Sequence, residues 1–308
     1  MTQIISTIAP SKPNKNTKPL LAYFGHHKAG SSSIVSIIAD VCSQMCLKRG
    51  AYQMGGYYKP KEPGYDLQTF AEENNLDFVI YRNADSQHIE NLTNYKGFHV
   101  VRDPRDILVS AYFSHLHSHG TKNWHDLTVY RQKLQKLDKY EGLLMEMEFS
   151  RVNFEKMYDW DYSLSNVLDI KMEDLFANSQ EQFINIFKFL GILDSSTEKI
   201  GSDLNDEIAK TVNRVNIKTN GLFPLKFSRE KISGERISKI VAENSFAKKA
   251  KGRKKGKENL KHHYRKGVKG DWKNHLTAEH IIAFKDNYND LLLKLGYESD
   301  PDWWKSYL

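Results

Sequence analysis

The first half of the chain alternates short apolar runs with turns and amphipathic stretches. Residues 20–24 form one apolar run, and from residue 31 to about residue 47 apolar side chains recur at helical spacing. Residues 77–81 and 97–101 form two further short apolar runs. Repeated strand–turn–helix units are typical of a parallel sheet covered by helices, with ligands bound at the carboxyl ends of the strands. The pattern therefore predicts an α/β fold.

The second half of the chain is more helical. Residues 124–158 predict helix, residues 167–172 predict a strand, and residues 180–190 predict a helix that ends at Gly191. A last helix is predicted after Thr277, a residue type that caps helix N-termini. Two segments show no clear periodicity: residues 194–235 predict irregular structure with short helices, and residues 50–66 predict a long surface loop.

The length of 308 residues fits one large domain with a substantial core. Residues 1–19 contain three prolines among polar residues and predict a poorly ordered arm, so residues 20–308 are expected to form a single domain. No apolar run approaches the length of a membrane span, and the first residues lack the pattern of a secretory signal. These observations predict a cytoplasmic protein.

The two cysteines, Cys42 and Cys46, lie one helical turn apart. This spacing suits a metal site only if other ligands join it, and no set of His or Cys partners is evident. Cysteines on the buried face of a helix are the commoner case, and a disulfide is not expected in an intracellular chain. We therefore predict no metal site.

The net charge of +7 is concentrated in one segment. Residues 248–269 hold eleven Lys or Arg against a single acid, Glu258, so the rest of the chain carries a net charge of −3. One basic segment on a mildly acidic body favours a single anion-binding place over a surface coated for nucleic acid. The middle of the segment, residues 251–257, is expected to be a solvated, flexible flap.

Three separated pieces of sequence offer ligands for anions. The first is the turn after the first strand, which combines a lysine, a glycine and three hydroxyls at the start of a helix, where backbone N–H groups converge. The second places Arg102 at the end of a strand and Ser110 in the following helix, and the third is a glycine-containing basic loop near residue 265. A ligand with two distant phosphate groups needs two such clusters, because each dianion out of water requires several donors.

These pieces, in this order, resemble the sulfotransferases that use 3′-phosphoadenosine 5′-phosphosulfate (PAPS). The resemblance covers residues 20–296 and is most specific in Arg-Lys-Gly-Val-Lys-Gly-Asp-Trp-Lys-Asn at residues 265–274. It implies a three-layer α/β/α domain with a central, mainly parallel sheet, the P-loop nucleoside-kinase-like sulfotransferase fold. It also implies transfer of a sulfuryl group from PAPS to a hydroxyl or amine of a small-molecule, lipid or carbohydrate acceptor, with release of 3′-phosphoadenosine 5′-phosphate (PAP).

The resemblance assigns the nucleotide ligands residue by residue. The 5′-phosphosulfate is expected on the first turn, at Lys28, Ala29, Gly30, Ser31, Ser32 and Ser33. The 3′-phosphate is expected on Arg102, Ser110, Arg265, Lys266 and Gly267, and the adenine on Ser245 and Phe246. Two positions depart from the family pattern, since Met172 stands where a tyrosine is usual and Ser33 where an aromatic residue often follows the turn.

Sulfuryl transfer resembles phosphoryl transfer, an in-line displacement in which charge grows on the leaving oxygen. Lys28 is expected to stabilise that oxygen, and a base must take the acceptor's proton. In cytosolic members of the family a histidine at the end of a strand does so, but residues 80–83 contain none here. His27 is the favoured substitute, with His26, the histidines at 115, 117 and 119, and an acidic residue as alternatives.

Two other classes of function compete. A P-loop kinase using ATP requires Gly-x-x-x-x-Gly-Lys-[Ser/Thr], whereas Lys28 precedes Gly30 here. A non-catalytic module that binds nucleic acid or an anionic polymer through residues 248–269 is compatible with the charge, but few aromatic residues are interleaved with the basic ones. We expect no nucleic-acid partner. The sequence indicates neither the acceptor nor the oligomeric state.

Overall fold

The computed structural model describes residues 18–53, 65–122, 124–194 and 203–308. Most of the predicted N-terminal arm and of the predicted loop at 50–66 lies outside these residues. Five strands form the central sheet: β1 (Leu20–Gly25), β2 (Arg49–Ala51), β3 (Phe78–Tyr81), β4 (Tyr95–Val101) and β5 (Val167–Lys171). Two short strands form a second, parallel pair, β6 (Leu193–Asp194) and β7 (Ile232–Ser233).

Helices connect these strands. The first six are α1 (Ser31–Met45), α2 (Leu67–Glu73), α3 (Pro104–Phe113), α4 (His125–Leu134), α5 (Lys139–Phe149) and α6 (Arg151–Asp159). The others are α7 (Met172–Ala177), α8 (Ser179–Phe189), α9 (Asp203–Lys218), α10 (Gly234–Glu243), α11 (Phe246–Lys249) and α12 (Ala278–Lys294). A π-helical turn, Ser114–Ser118, extends α3.

The central sheet has the strand order β2-β3-β1-β4-β5, and all of its pairings are parallel. Side chains of β1 alternate between its two faces, as the strand period of two requires. Leu21 and Tyr23 pack into a core with α1, α8 and α10, while Ala22 and Phe24 pack on the other side with α2 and Trp160. Helices therefore cover both faces, which confirms the predicted three-layer α/β/α architecture with a parallel sheet.

This topology brings β1 and β4 side by side at the point where the strand order reverses. Their carboxyl ends lead into the turn before α1 and into Arg102, which are the first two predicted anion-binding pieces. Open parallel sheets bind ligands at such a switch point. The fold therefore places two distant stretches of sequence at one edge of the sheet.

The prediction of irregular structure over residues 194–235 was wrong for helix α9, which has 16 residues. Its buried side chains include the polar residues Asp206, Lys210 and Asn213, while Ile208 and Val215 are 47% and 41% exposed. The buried face of α9 is therefore largely polar, although the helix packs along α1. Polar contacts replace apolar ones at this interface.

We expect Asn213→Ala to lower the free energy of unfolding by about 3 kcal/mol, because it would leave buried backbone groups without partners. The Asn213 amide donates to the carbonyls of Ser43 and Phe227, both at 2.9 Å, and accepts from the Phe227 N–H at 2.7 Å. Urea unfolding measures the loss. Thr211→Ala, at an exposed site on the same helix, is the control and should change the free energy by less than about 0.5 kcal/mol.

Candidate nucleotide-binding and active site

A cavity of about 1300 Å³ opens at the carboxyl ends of β1 and β4. It brings together nearly all the residues predicted to bind the nucleotide: Lys28, Gly30, Ser31, Ser32, Ser33, Arg102, Ser110, Ser245, Phe246, Arg265, Lys266 and Gly267. His27 lines the same cavity. Ala29 does not. Ala29 is fully buried, and its N–H donates to the carbonyl of His26 at 3.2 Å. It therefore stabilises the turn without lining the cavity.

The turn before α1 has two residues in the left-handed region, Lys28 with φ 63° and Gly30 with φ 81°. Gly30 packs against Phe176 and Met172, and a Cβ at this position would lie 2.8 Å from the Phe176 ring. Glycine is therefore required at position 30. Met172, at the departure from the family pattern, thus contacts the turn itself.

The start of α1 presents free hydrogen-bond donors to the cavity. The backbone N–H groups of Ser31 and Ser32 donate to no atom in the part of the chain that the structure describes. The Ser32 hydroxyl lies 2.8 Å from His263 Nε2. A helix of 15 residues with unsatisfied N–H groups at its N-terminus favours a bound anion.

Lys28 lies between several charged groups at the cavity wall. Burial, with contributions from the positive charges of Arg102 and Arg265, lowers the pKa of Lys28 to about 7, and the negative charge of Glu146 opposes this shift. An anion bound beside the ammonium group would favour its charged form. The lysine is therefore poised to be protonated when a phosphate or sulfate group is present.

Arg102 connects the first two predicted pieces. Its guanidinium donates to the carbonyl of Lys28 at 3.0 Å, and its buried Nε has no hydrogen-bond partner among the described residues. No hydrogen bond or ion pair joins Arg102 to Asp106, which instead accepts from the N–H groups of Gly270 and Trp272 at 2.7 and 3.0 Å. A buried guanidinium with an unused donor fits an anionic ligand.

The loop that follows Tyr264 is held by two carboxylates, the buried Asp271 and the exposed Glu258. Asp271 accepts from Arg265 and from Lys266, the latter at 2.5 Å. Burial alone would raise the pKa of Asp271, but hydrogen bonds from His275, Lys266, Asn274 and Arg265 hold it far below its usual range. Glu258 also pairs with Arg265. The ligand atoms of Glu258, Asp271 and His275 lie within 4.8 Å of one another, and both carboxylates of this group already pair with Arg265.

Phe246 packs directly beneath this loop. A Cβ at Gly267, whose φ is 71°, would lie 2.5 Å from the Phe246 ring. Arg253 lies over the same ring at 5.5 Å and donates to the carbonyls of Lys257, Tyr264 and Arg265. The description of residues 251–257 as a solvated flap was therefore incomplete, because Arg253 holds the run against the loop.

Two chains of histidines lead away from the cavity, and the sequence analysis missed both chains. His27 Nε2 lies 3.0 Å from His115 Nε2, and His115 Nδ1 lies 3.0 Å from both carboxylate oxygens of Glu146. The second chain runs from His26 to His99 at 2.8 Å and on to Asp169 at 2.7 Å. The sequence contained the histidines, but spacing alone did not show which residues pair with them. His115 lies in the π-helical turn that follows α3, and this turn places its side chain at the cavity.

The model of the family described as "Sulfotransferase domain" matches residues 88–224 and 203–296, about two thirds of the chain. The protein belongs to the sulfotransferase domain family. The match includes Arg102, the α3 helix and the Arg265 loop, and it confirms the family that the sequence motifs indicated.

Two curated relatives of this chain come from Mus musculus. Sulfotransferase 2A6 is 25% identical over 200 residues, which cover 64% of this chain and 56% of the relative. Sulfotransferase 2A1 is 27% identical over 190 residues, covering 61% of this chain and 53% of the relative. The aligned stretch thus spans little more than half the length of either mouse protein.

Several solved structures resemble this chain in backbone fold. Mouse sulfotransferase SULT7A1, complexed with PAP, has a TM-score of 0.47 and 16% identity, with 95% of this chain and 90% of that chain covered. Retinol dehydratase, in complex with androsterone and PAP, has a TM-score of 0.46 and 16% identity, with coverages of 90% and 82%. The family assignment rests on the family model and not on these likenesses.

Among the residues that the structure describes, none of the helices is both long enough and apolar enough to cross a membrane.

Proposed function

We propose that this sulfotransferase moves the sulfuryl group of PAPS to a hydroxyl or amine of a small-molecule, lipid or carbohydrate acceptor and releases PAP. The observation that carries the proposal is the meeting of three basic pieces of sequence in one cavity. The Lys28 turn, Arg102 and the Arg265 loop all line it. The donors of the Lys28 turn suit a 5′-phosphosulfate, and those of Arg102 and the Arg265 loop suit a 3′-phosphate.

The residues present fit such a nucleotide. The unused donors at Arg102 Nε and at the start of α1 are what two separate anionic groups would engage. Phe246 offers an aromatic face for adenine, and Ser245 lies next to it on the cavity wall. When bound, PAPS supplies the activated sulfuryl group; the chain supplies the groups that bind and orient it.

Within this proposal Lys28 stabilises the charge that grows on the leaving oxygen, and Ser31 and Ser32 hold the adjacent phosphate through their N–H groups. His27 is the base that accepts the acceptor's proton. An aromatic wall made by Trp124 and Phe149, whose rings stack 5.8 Å apart, lines the same cavity near His27 and is the proposed acceptor side. A cytoplasmic location and the absence of a nucleic-acid partner stay predictions.

Thermal unfolding with nucleotides tests the donor. PAP is expected to raise the melting temperature by several degrees, and AMP, which lacks the 3′-phosphate, by far less, since a ligand of the folded state stabilises it in proportion to its affinity. Equal shifts with both nucleotides would contradict a site for the 3′-phosphate. ATP with magnesium is the test for the kinase alternative, and transfer from ³⁵S-labelled PAPS to phenols, steroids, sugars and lipid alcohols identifies the acceptor.

We expect the affinity for PAP to fall as the pH rises above about 7, because Lys28 is neutral above this pH in the free chain and charged beside the anion. Arg102, Arg265 and Glu146 are the charged groups that act on Lys28. Calorimetry at pH 6.0 and 8.5 in two buffers should show proton uptake on binding only at the higher pH. In Lys28→Ala the uptake should disappear; if it persists, another group is responsible.

A further inference from the structure

The side chain of His27 starts a chain of hydrogen bonds that ends on a fully buried carboxylate. His115 is 1% exposed and Glu146 is not exposed at all. Besides His115, Glu146 accepts from the Tyr130 hydroxyl at 2.8 Å and from the Ser150 hydroxyl at 2.9 Å. A buried carboxylate surrounded by three donors is satisfied as an anion.

The positions of the protons follow from this arrangement. An ionised carboxylate only accepts, so His115 donates from Nδ1 to Glu146. The Nε2 of neutral His115 is then an acceptor, and His27 donates to it from Nε2. Neutral His27 therefore keeps its lone pair on Nδ1, which makes no hydrogen bond with any described residue. This is the nitrogen that is free to take a proton.

We propose that His115 and Glu146 are positioning residues that make His27 the base of this enzyme by relaying its proton to His115. This inference rests on the proposed function. The acceptor O–H bond breaks with its electron pair left on oxygen, and an N–H bond forms at His27 Nδ1. The proton on His27 Nε2 passes to His115 Nε2. His27 is neutral again, and the positive charge lies on His115 beside the Glu146 carboxylate.

The surroundings of His27 explain why a relay is needed. Burial and the positive charge of Lys28 hold the pKa of His27 well below its ordinary value, with smaller contributions from His115, His119 and His263. A proton that stayed on His27 would sit beside the lysine that must remain charged. One step along the chain it lies against a carboxylate, 3.0 Å away.

The neighbouring chain from His26 is built differently. Although His26 lines the cavity, its Nδ1 atom is buried and has no partner among the described residues, so an acceptor hydroxyl in the cavity cannot reach this nitrogen. The chain ends on Asp169, where burial raises the pKa of the carboxyl group to about 7. A carboxyl group that is only partly ionised at neutral pH stabilises an adjacent imidazolium less well. The relay therefore belongs to His27.

Glu146→Gln removes the charge and preserves the shape of the side chain. We expect kcat to fall about 10²-fold, because general-base assistance is weakened when no carboxylate stabilises the relayed proton, while the KM for PAPS and the melting shift with PAP change less than about twofold. The acidic limb of the kcat–pH profile should move to lower pH, since the histidine pair holds its proton less tightly. Tyr130→Phe is the matched control: it removes one hydrogen bond from Glu146, keeps the charge, and should alter kcat less than about threefold.

A second measurement does not depend on turnover. Nitrogen-15 NMR of the histidine rings in the PAP-free protein should show the proton on Nε2 of His27 and on Nδ1 of His115. The opposite tautomer of His27 would overturn the proposal even if Glu146→Gln failed to fold. If the wild type turns over PAPS and Glu146→Gln has wild-type kcat, the relay is wrong and the proposed function stands. If the wild type neither binds PAP nor uses PAPS, the proposed function is wrong, and the tautomers still test the hydrogen-bond chain.

Discussion

Replacing Lys28 with alanine is expected to lower kcat by about 10² to 10³-fold, the usual cost of removing one donor that stabilises a growing negative charge. Lys28 lies in the turn between β1 and α1 and lines the cavity, and its carbonyl accepts from Arg102. Because the serine N–H groups and the proposed ligands of the 3′-phosphate remain, the affinity for PAP should change less than about tenfold. Stopped-flow or steady-state transfer from labelled PAPS measures kcat, and melting shifts measure PAP binding.

Lys156→Ala is the matched control for this prediction. Lys156 also lines the cavity but is paired with Asp85 at 3.2 Å, so its charge is already engaged. Its removal should alter kcat less than about threefold. If Lys28→Ala keeps full activity, Lys28 has no part in the chemistry; if it loses PAP binding altogether, its role is to bind the nucleotide.

Gly267→Ala is expected to weaken PAP binding about 10 to 100-fold. The new methyl group would lie 2.5 Å from the ring of Phe246, so the loop or the ring must move. Overpacking of this kind costs about 1–3 kcal/mol, and each 1.4 kcal/mol is a factor of ten in affinity. A displaced Phe246 would also lose the stacking on adenine that we propose for it. Calorimetric titration with PAP measures the loss.

The same loop provides a control with the same backbone conformation. Gly270 has a φ of 71°, as Gly267 does, but a Cβ there meets nothing within 4 Å. Gly270→Ala therefore carries the strain of a left-handed alanine without the clash, and should weaken PAP binding less than about fivefold. Similar losses in the two variants would mean that backbone strain, not the contact with Phe246, explains the effect.

The sequence alone predicted the elements whose apolar periodicity is strong. β1, α1 and β4 were placed to within a few residues, because each buries an apolar face against one layer of the fold. Helix α9 could not be found in this way, since its buried face contains Asp206, Lys210 and Asn213. The hydrogen-bonding and ion-pair partners of such side chains lie far away along the chain, so the local sequence pattern does not reveal them.

In the candidate site, too, local sequence motifs could be predicted, whereas contacts between distant residues could not. Residues expected to bind the nucleotide through turns and motifs, such as Lys28, Gly30 and Arg265, were predicted from short stretches of sequence, and all three line the cavity. Their residue-by-residue roles remain predictions. The pairing of His27 with His115 and Glu146 depends on how α3 and α5 pack side by side. A hydrogen bond between residues 88 positions apart leaves no pattern in one sequence.

The left-handed conformation of Lys28 has a consequence for selection of variants. A side chain at a φ of 63° costs about 1–2 kcal/mol, which glycine avoids. A screen that rewards thermal stability should therefore favour Lys28→Gly, while a screen that rewards turnover should remove it. The two selections therefore favour different residues at position 28. The lysine lowers thermal stability there, but it places an ammonium group near the N-terminus of α1.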